Sequence, residues 1–124
     1  MVVGRIPQVT GHATRGRHVL ADFRGVRADL LTHPQTLERQ LIDAARAAGA
    51  RVLSAHFHHF GAAAGVTGVV VLSESHISIH SWPEHRYAAL DIFMCGAARP
   101  ELALEHLRAQ LAPESVNVTT VARG

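Results

Sequence analysis

The densest run of reactive side chains in the sequence is Ser73-Glu74-Ser75-His76-Ile77-Ser78-Ile79-His80-Ser81. Hydroxyls add to carbonyls and imidazoles carry protons near neutral pH, so this run holds the side chains best suited to chemistry. From His76 to His80 the pattern has period two. Ile77 and Ile79 fall on one side of an extended chain, and His76, Ser78 and His80 fall on the other. A strand of this kind buries the isoleucines and presents two imidazoles and a hydroxyl together, although a plain solvated sheet face reads the same way. A second group, His56, His58 and His59, lies on the preceding β-type segment, with His56 and His58 sharing a side. His-x-His on a strand is a metal-ligand pattern, but no carboxylate lies at a natural spacing, and a surface histidine cluster is the simpler reading. Cys95, before Gly96 at a strand end, is either a small apolar residue or a proton donor or nucleophile. No Gly-x-Ser-x-Gly elbow occurs. A serine-hydrolase reading would therefore need a Ser–His pair assembled from distant positions.

The elements that must hold these residues can be read from period and punctuation. His18-Val19-Leu20-Ala21-Asp22-Phe23 predicts a first strand. Pro34 suits the first turn of a helix, Leu37, Leu41, Ala44, Ala45 and Ala48 recur at three- and four-residue spacing, and Gly49 stands where the helix must stop. Strands are expected over 51–60, 66–73, 76–81 and 87–94, with Val69-Val70-Val71-Leu72 reading as fully buried. Gly61-Ala62-Ala63-Ala64-Gly65 and Trp82-Pro83-Glu84 separate them. Pro100 opens a second helix with Leu104, Leu107 and Leu111 on one face, Glu105 and His106 lying on its exposed side. Val116, Val118 and Thr120 alternate in a last strand. Connections this short favour antiparallel neighbours. The order βαββββαβ predicts an α+β two-layer sandwich, an antiparallel sheet with two helices packed on one face.

Composition narrows the function. The chain has 124 residues, 48% hydrophobic, which is enough for one domain with a core and no disulfide staples. All 12 basic residues are arginine, so neither lysine imine chemistry nor the usual anchoring of pyridoxal phosphate is available. One cysteine excludes an internal disulfide and any Cys-x-x-Cys motif. The arginines are scattered and the formal charge is only +2, which speaks against nucleic acid as a partner. No apolar run approaches the ~20 residues of a membrane span, and residues 1–14 lack the pattern of a signal peptide. A cytoplasmic protein with no membrane partner is expected, with residues 1–15 as an unassigned N-terminal arm and 16–124 as a single domain.

Three stretches together resemble the small bacterial and archaeal S-adenosylmethionine decarboxylases: Gly16-Arg17-His18, Phe57-His58-His59-Phe60 and Gly65-Val66-Thr67-Gly68-Val69-Val70-Val71. The most specific text is the block from Ser73 to Glu84, followed by Tyr87-Ala88-Ala89-Leu90-Asp91-Ile92-Phe93-Met94-Cys95-Gly96. The resemblance implies a proenzyme that cuts itself between Glu74 and Ser75, giving a 1–74 β chain and a 75–124 α chain. The Ser75 hydroxyl attacks the Glu74 carbonyl and turns the amide into an ester. Loss of the Ser75 α-proton expels the Glu74 carboxylate and leaves a dehydroalanine, which hydrolyses to a pyruvoyl group and ammonia. The resemblance further implies that His80 accepts the proton during processing and that the Thr67 hydroxyl promotes the acyl shift. Many relatives have serine where Thr67 stands.

By the same resemblance the pyruvoyl ketone at position 75 forms a Schiff base with the substrate amine and serves as the electron sink, so neither pyridoxal phosphate nor a metal is expected. Cys95 is then the proton donor to the substrate carbon, Phe60 stacks on adenine and Glu84 receives the ribose hydroxyls. The family pairs processed protomers into homodimers. The implied function is decarboxylation of S-adenosylmethionine for polyamine (spermidine) synthesis. Two alternatives stand beside it: the same pyruvoyl chemistry on arginine or ornithine, and an uncleaved non-catalytic or metal-binding module.

Overall fold

The computed structural model describes residues 14–124, so the expected arm lies outside the described residues except for Thr14 and Arg15. Six strands form one sheet: β1 (Gly16–Arg24), β2 (Val52–His59), β3 (Val66–Leu72), β4 (Ser75–Trp82), β5 (Tyr87–Cys95) and β6 (Ser115–Arg123). Helix α1 (Pro34–Ala47) follows β1, and α2 (Pro100–Leu111) follows β5. The sheet order is β2-β3-β4-β5-β1-β6, and each neighbouring pair is antiparallel. The expected two-layer architecture is the one observed, with α1 over β2 and β3, α2 over β5 and β1, and the helices against each other.

Local sequence explains each helix. Pro34 opens α1, where its missing N–H costs nothing, and Leu37, Leu41, Ala44 and Ala45 are buried at the helical repeat. Gly49 follows at φ 84, the left-handed conformation that ends a helix cheaply only with glycine. In α2 the buried positions are Pro100, Ala103, Leu107 and Leu111, with Leu104 half-buried beside them. Ala103 and the leucines meet Phe23, Ile77, Ile79, Ile92 and Met94 from the sheet in one core. Ser81 is the one buried polar side chain of the described residues. Its hydroxyl donates to the Leu31 carbonyl at 2.8 Å and accepts from the Val66 N–H at 2.9 Å.

The helices cover one face only. This corrects the expectation for Val69–Leu72: Val70 and Leu72 are buried, whereas Val69 is half-buried and Val71 is 36% exposed. A continuous valine run looks doubly buried in sequence, but in this sheet every second side chain points to the uncovered face. The same face carries His18 and Leu20 from β1, His76, His80 and Trp82 from β4, and Asp91 and Phe93 from β5.

Candidate active site

The turn between β3 and β4 consists of Ser73 and Glu74, with Leu72 directly opposite Ser75. Glu74 has φ 60, a left-handed conformation that crowds its Cβ against the next carbonyl, at about 1–2 kcal/mol for an L-residue. The strain sits on the peptide unit that precedes Ser75. Cys95, at the end of the adjacent β5, reaches both sides of that bond. Its backbone N–H donates to Ser75 Oγ at 3.4 Å, and its thiol donates to the Glu74 carbonyl oxygen at 3.3 Å. The hydroxyl and the carbonyl that an acyl shift must join are therefore held by one residue. Around them lies a cavity of about 230 Å³, lined by Arg51, Glu74, Ser75, Cys95 and Gly96 among others.

Thr67 and His80 form a pair of their own. They are directly opposite each other on β3 and β4, with Thr67 Oγ1 3.1 Å from His80 Nδ1. This pair is not beside Ser75. His80 lies five residues further along β4, about 16 Å at ~3.3 Å per residue. Near the same end stand Phe60, 61% exposed with the His58 ring edge-on to it at 4.6 Å, and the exposed Glu84 in the short 3-10 turn Pro83–His85. Trp82, a residue that the site reading of the sequence did not single out, also belongs here. Its indole is exposed on the open face and stacks with the rings of Tyr87 at 5.3 Å and His80 at 6.2 Å. The signal was present, since Trp82 continues the period-two series His76, Ser78, His80. One chain thus holds Glu74, Ser75 and Cys95 at one end of β4, and Thr67, His80, Phe60, Trp82 and Glu84 at the other.

Between the two ends lies a polar network centred on Asp91. His18 Nε2 and His76 Nε2 lie 2.6 and 2.7 Å from Asp91 Oδ1, and the Ser78 hydroxyl donates to Oδ2. Arg123 Nη1 is 3.3 Å from His18 Nδ1. A guanidinium can only donate, so His18 Nδ1 accepts and the ring proton on Nε2 goes to Asp91. Burial alone would raise the Asp91 carboxyl. Hydrogen bonds from Ser78, His18 and His76 outweigh it and hold the group below its ordinary value of 3.8. The stabilisation is present above the unfolded-chain value and is lost as pH falls through the lower folded one. Asp91→Asn is therefore expected to melt below the natural protein at about pH 5, and the margin should shrink as the pH falls below about 4. Thermal melts of both proteins across that range check it.

His56 and His58 project to the open face as expected and line a surface depression of about 400 Å³ with Thr67, Ser78 and His80. Among the described residues, the metal-compatible group is instead His18, His76 and Asp91. No helix among the described residues is long and apolar enough to cross a membrane.

Comparison with known proteins bears directly on this geometry. Residues 17–124 match the family described as S-adenosylmethionine decarboxylase. A protein of Persephonella marina named S-adenosylmethionine decarboxylase proenzyme is 43% identical over 112 residues, covering 90% of this chain and 84% of that one. Its namesake in Methanococcus maripaludis is 42% identical over 110 residues, covering 88% and 89%. The crystal structure of the adenosylmethionine decarboxylase of Aquifex aeolicus superposes with a TM-score of 0.82 at 36% identity, over 91% of this chain and 93% of that one. The likeness spans the sheet, both helices and the strained turn before Ser75, and the chain belongs to the S-adenosylmethionine decarboxylase family of pyruvoyl-dependent carboxy-lyases.

Proposed function

We propose that this chain cuts itself between Glu74 and Ser75 into a 1–74 β chain and a 75–124 α chain, and then decarboxylates S-adenosylmethionine as a homodimer. The observation that carries the reading is the strained Glu74–Ser75 unit with Cys95 bonded to both Ser75 Oγ and the Glu74 carbonyl oxygen. The thiol proton polarises the carbonyl that Ser75 Oγ attacks, and ester formation releases the strain at Glu74. Removal of the Ser75 α-proton by His80 then breaks the Oγ–Cβ bond. Glu74 departs as a carboxylate, and water replaces the nitrogen at position 75 with release of ammonia. The resulting ketone supplies an electron sink to the substrate's amino group as carbon dioxide leaves. Cys95, freed from the Glu74 carbonyl, is placed to return a proton to the substrate carbon.

Two features support a second copy as part of the site. The cavity at Ser75 is below the roughly 300–1,000 Å³ that enclose a ligand of nucleoside size. Thr67 and His80 also lie at the far end of their own β4. The open face exposes Leu20, Val71, Trp82 and Val121, an apolar surface suited to burial. A two-fold axis between two such faces, running across the strands, sets the start of one β4 against the end of its partner. In that arrangement one copy presents Ser75 and Cys95. Its partner presents Thr67 and His80, with Phe60 and Trp82 as plates for adenine and Glu84 for the ribose hydroxyls. The decarboxylated product would serve polyamine synthesis, and the unpaired thiol suits the cytoplasm.

Denaturing mass spectrometry should give two pieces that part after Glu74, the second bearing a ketone and no free N-terminal amine. Carbon dioxide release should follow from S-adenosylmethionine and not from arginine or ornithine. An intact chain would overturn self-processing, and activity confined to the free amino acids would overturn the substrate.

A further inference from the structure

We propose that Asp91 is a positioning residue for the reaction centre, acting through His76 and β5 on Ser75 and Cys95; the inference rests on the reading of Ser75 given above. Asp91 lies on the central strand of three, directly opposite Ser78 on β4 and Leu20 on β1. Its carboxylate bonds straight across to Ser78 and diagonally to His76 and His18, both displaced toward the Ser75 and Cys95 end. The network therefore cross-links β1, β4 and β5 by side chains where the backbone ladder is about to end. His76 is the peptide neighbour of Ser75. Phe93, two residues before Cys95, stands between His18 and His76, directly opposite both, its ring edge-on to His18 at 5.5 Å and tilted to His76 at 6.1 Å. Strand ends fray unless something holds them, and the Ser75–Cys95 geometry tolerates little displacement.

Electrostatics make the carboxylate hard to replace. Two ring N–H groups and one O–H converge on its two oxygens. Arg123, donating to His18 Nδ1, prevents that ring from turning its acceptor nitrogen toward Asp91 without placing a new N–H against the guanidinium. The same contact disfavours the cluster as a cation site, because ligation through His18 Nε2 would require the proton on Nδ1. An asparagine at 91 keeps the shape and one acceptor, but aims an amide N–H at a group that is itself a donor.

The test compares Asp91→Asn and the milder Ser78→Ala with the natural protein, each normalised to its ketone content. In Asp91→Asn, self-cleavage is expected to slow and kcat to fall on the order of tenfold to a hundredfold, with KM for S-adenosylmethionine moving less than about threefold. Ser78→Ala should show the same split with a smaller loss, a few-fold in kcat. A role confined to folding would lower the melting temperature and the yield but leave kcat per ketone unchanged, and that result overturns the proposal. Failure of the natural chain to cleave would instead overturn the reading of Ser75. Normal cleavage and kcat in Asp91→Asn, beside a natural protein that cleaves, would sink the positioning role alone.

Discussion

Ser75→Ala is expected to leave a single uncut chain of 124 residues with no ketone and no decarboxylation above background. The loss should be close to the whole rate enhancement, on the order of 10⁶-fold or more, because the substitution removes both the nucleophile of processing and the source of the electron sink. No neighbouring group substitutes for it. Ser73 lies on the other side of Glu74, and Ser78 is engaged with Asp91. Cys95 is the one other nucleophile at the bond, its sulfur 3.3 Å from the Glu74 carbonyl oxygen. Attack by that thiol would break the 74–75 amide but leave the two pieces joined by a thioester to Cys95, and its hydrolysis would release a fragment that begins with a free amine at position 75 and carries no ketone. Mass spectrometry with and without a carbonyl reagent separates the two routes. A ketone-bearing fragment in Ser75→Ala would sink the assigned nucleophile.

The variant is expected to fold. Ser75 lies at the edge of the core, and the hydroxyl's visible partner is one long bond from the Cys95 N–H. Its uncut chain should therefore melt within a few degrees of the unprocessed natural protein, as substitutions away from the core commonly do.

The fold was legible because its signals are local. Pro34 and Pro100 mark helix starts, the leucine spacings mark buried faces, and the isoleucines of β4 alternate with its polar residues. Of the proposed site, the Glu74–Ser75 unit follows chain order, and Cys95 was marked in the sequence only by its place at a strand end; the β4–β5 pairing sets it beside Ser75. The Asp91 network could not be read this way. His18, Ser78 and Asp91 are brought together by the β5–β1 and β4–β5 registers, which no spacing along the chain reveals. The exposure of Val71 was hidden for a related reason. A valine-rich strand looks the same in sequence whether one or both of its faces are covered, and only the placing of both helices on one side decides it. Proximity in sequence also misleads for His80. Five residues from Ser75 suggests adjacency, yet on an extended strand those five residues span about 16 Å and separate the two groups.

That separation yields the second large effect. If one copy's His80 and Thr67 serve its partner's Ser75, a chain with Ser75→Ala and a chain with His80→Ala should complement each other. Alone, each is expected to stay uncut, the first for want of a nucleophile and the second for want of a base within reach. In a mixed dimer, the His80→Ala chain retains its own Ser75 and faces the intact His80 and Thr67 of its companion, so it can process. The Ser75→Ala chain cannot be cut in any pairing. With random pairing, about a quarter of all chains should cleave, every one of them the His80→Ala chain. Mass-tagged versions co-expressed in one cell identify which chain is cut. Each mixed dimer then carries one ketone-bearing site of natural composition, so activity should return to about a quarter of the natural level per chain. A site built within one chain predicts no cleavage in the mixture, because each chain would still lack one of the two groups. Cleavage of the His80→Ala chain in the mixture at the rate it shows alone would likewise overturn the shared site. The open face supplies the physical route to pairing. Leu20, Trp82 and Val121 are 44%, 39% and 43% exposed on one chain, and burying them brings the two ends of β4 from different copies together.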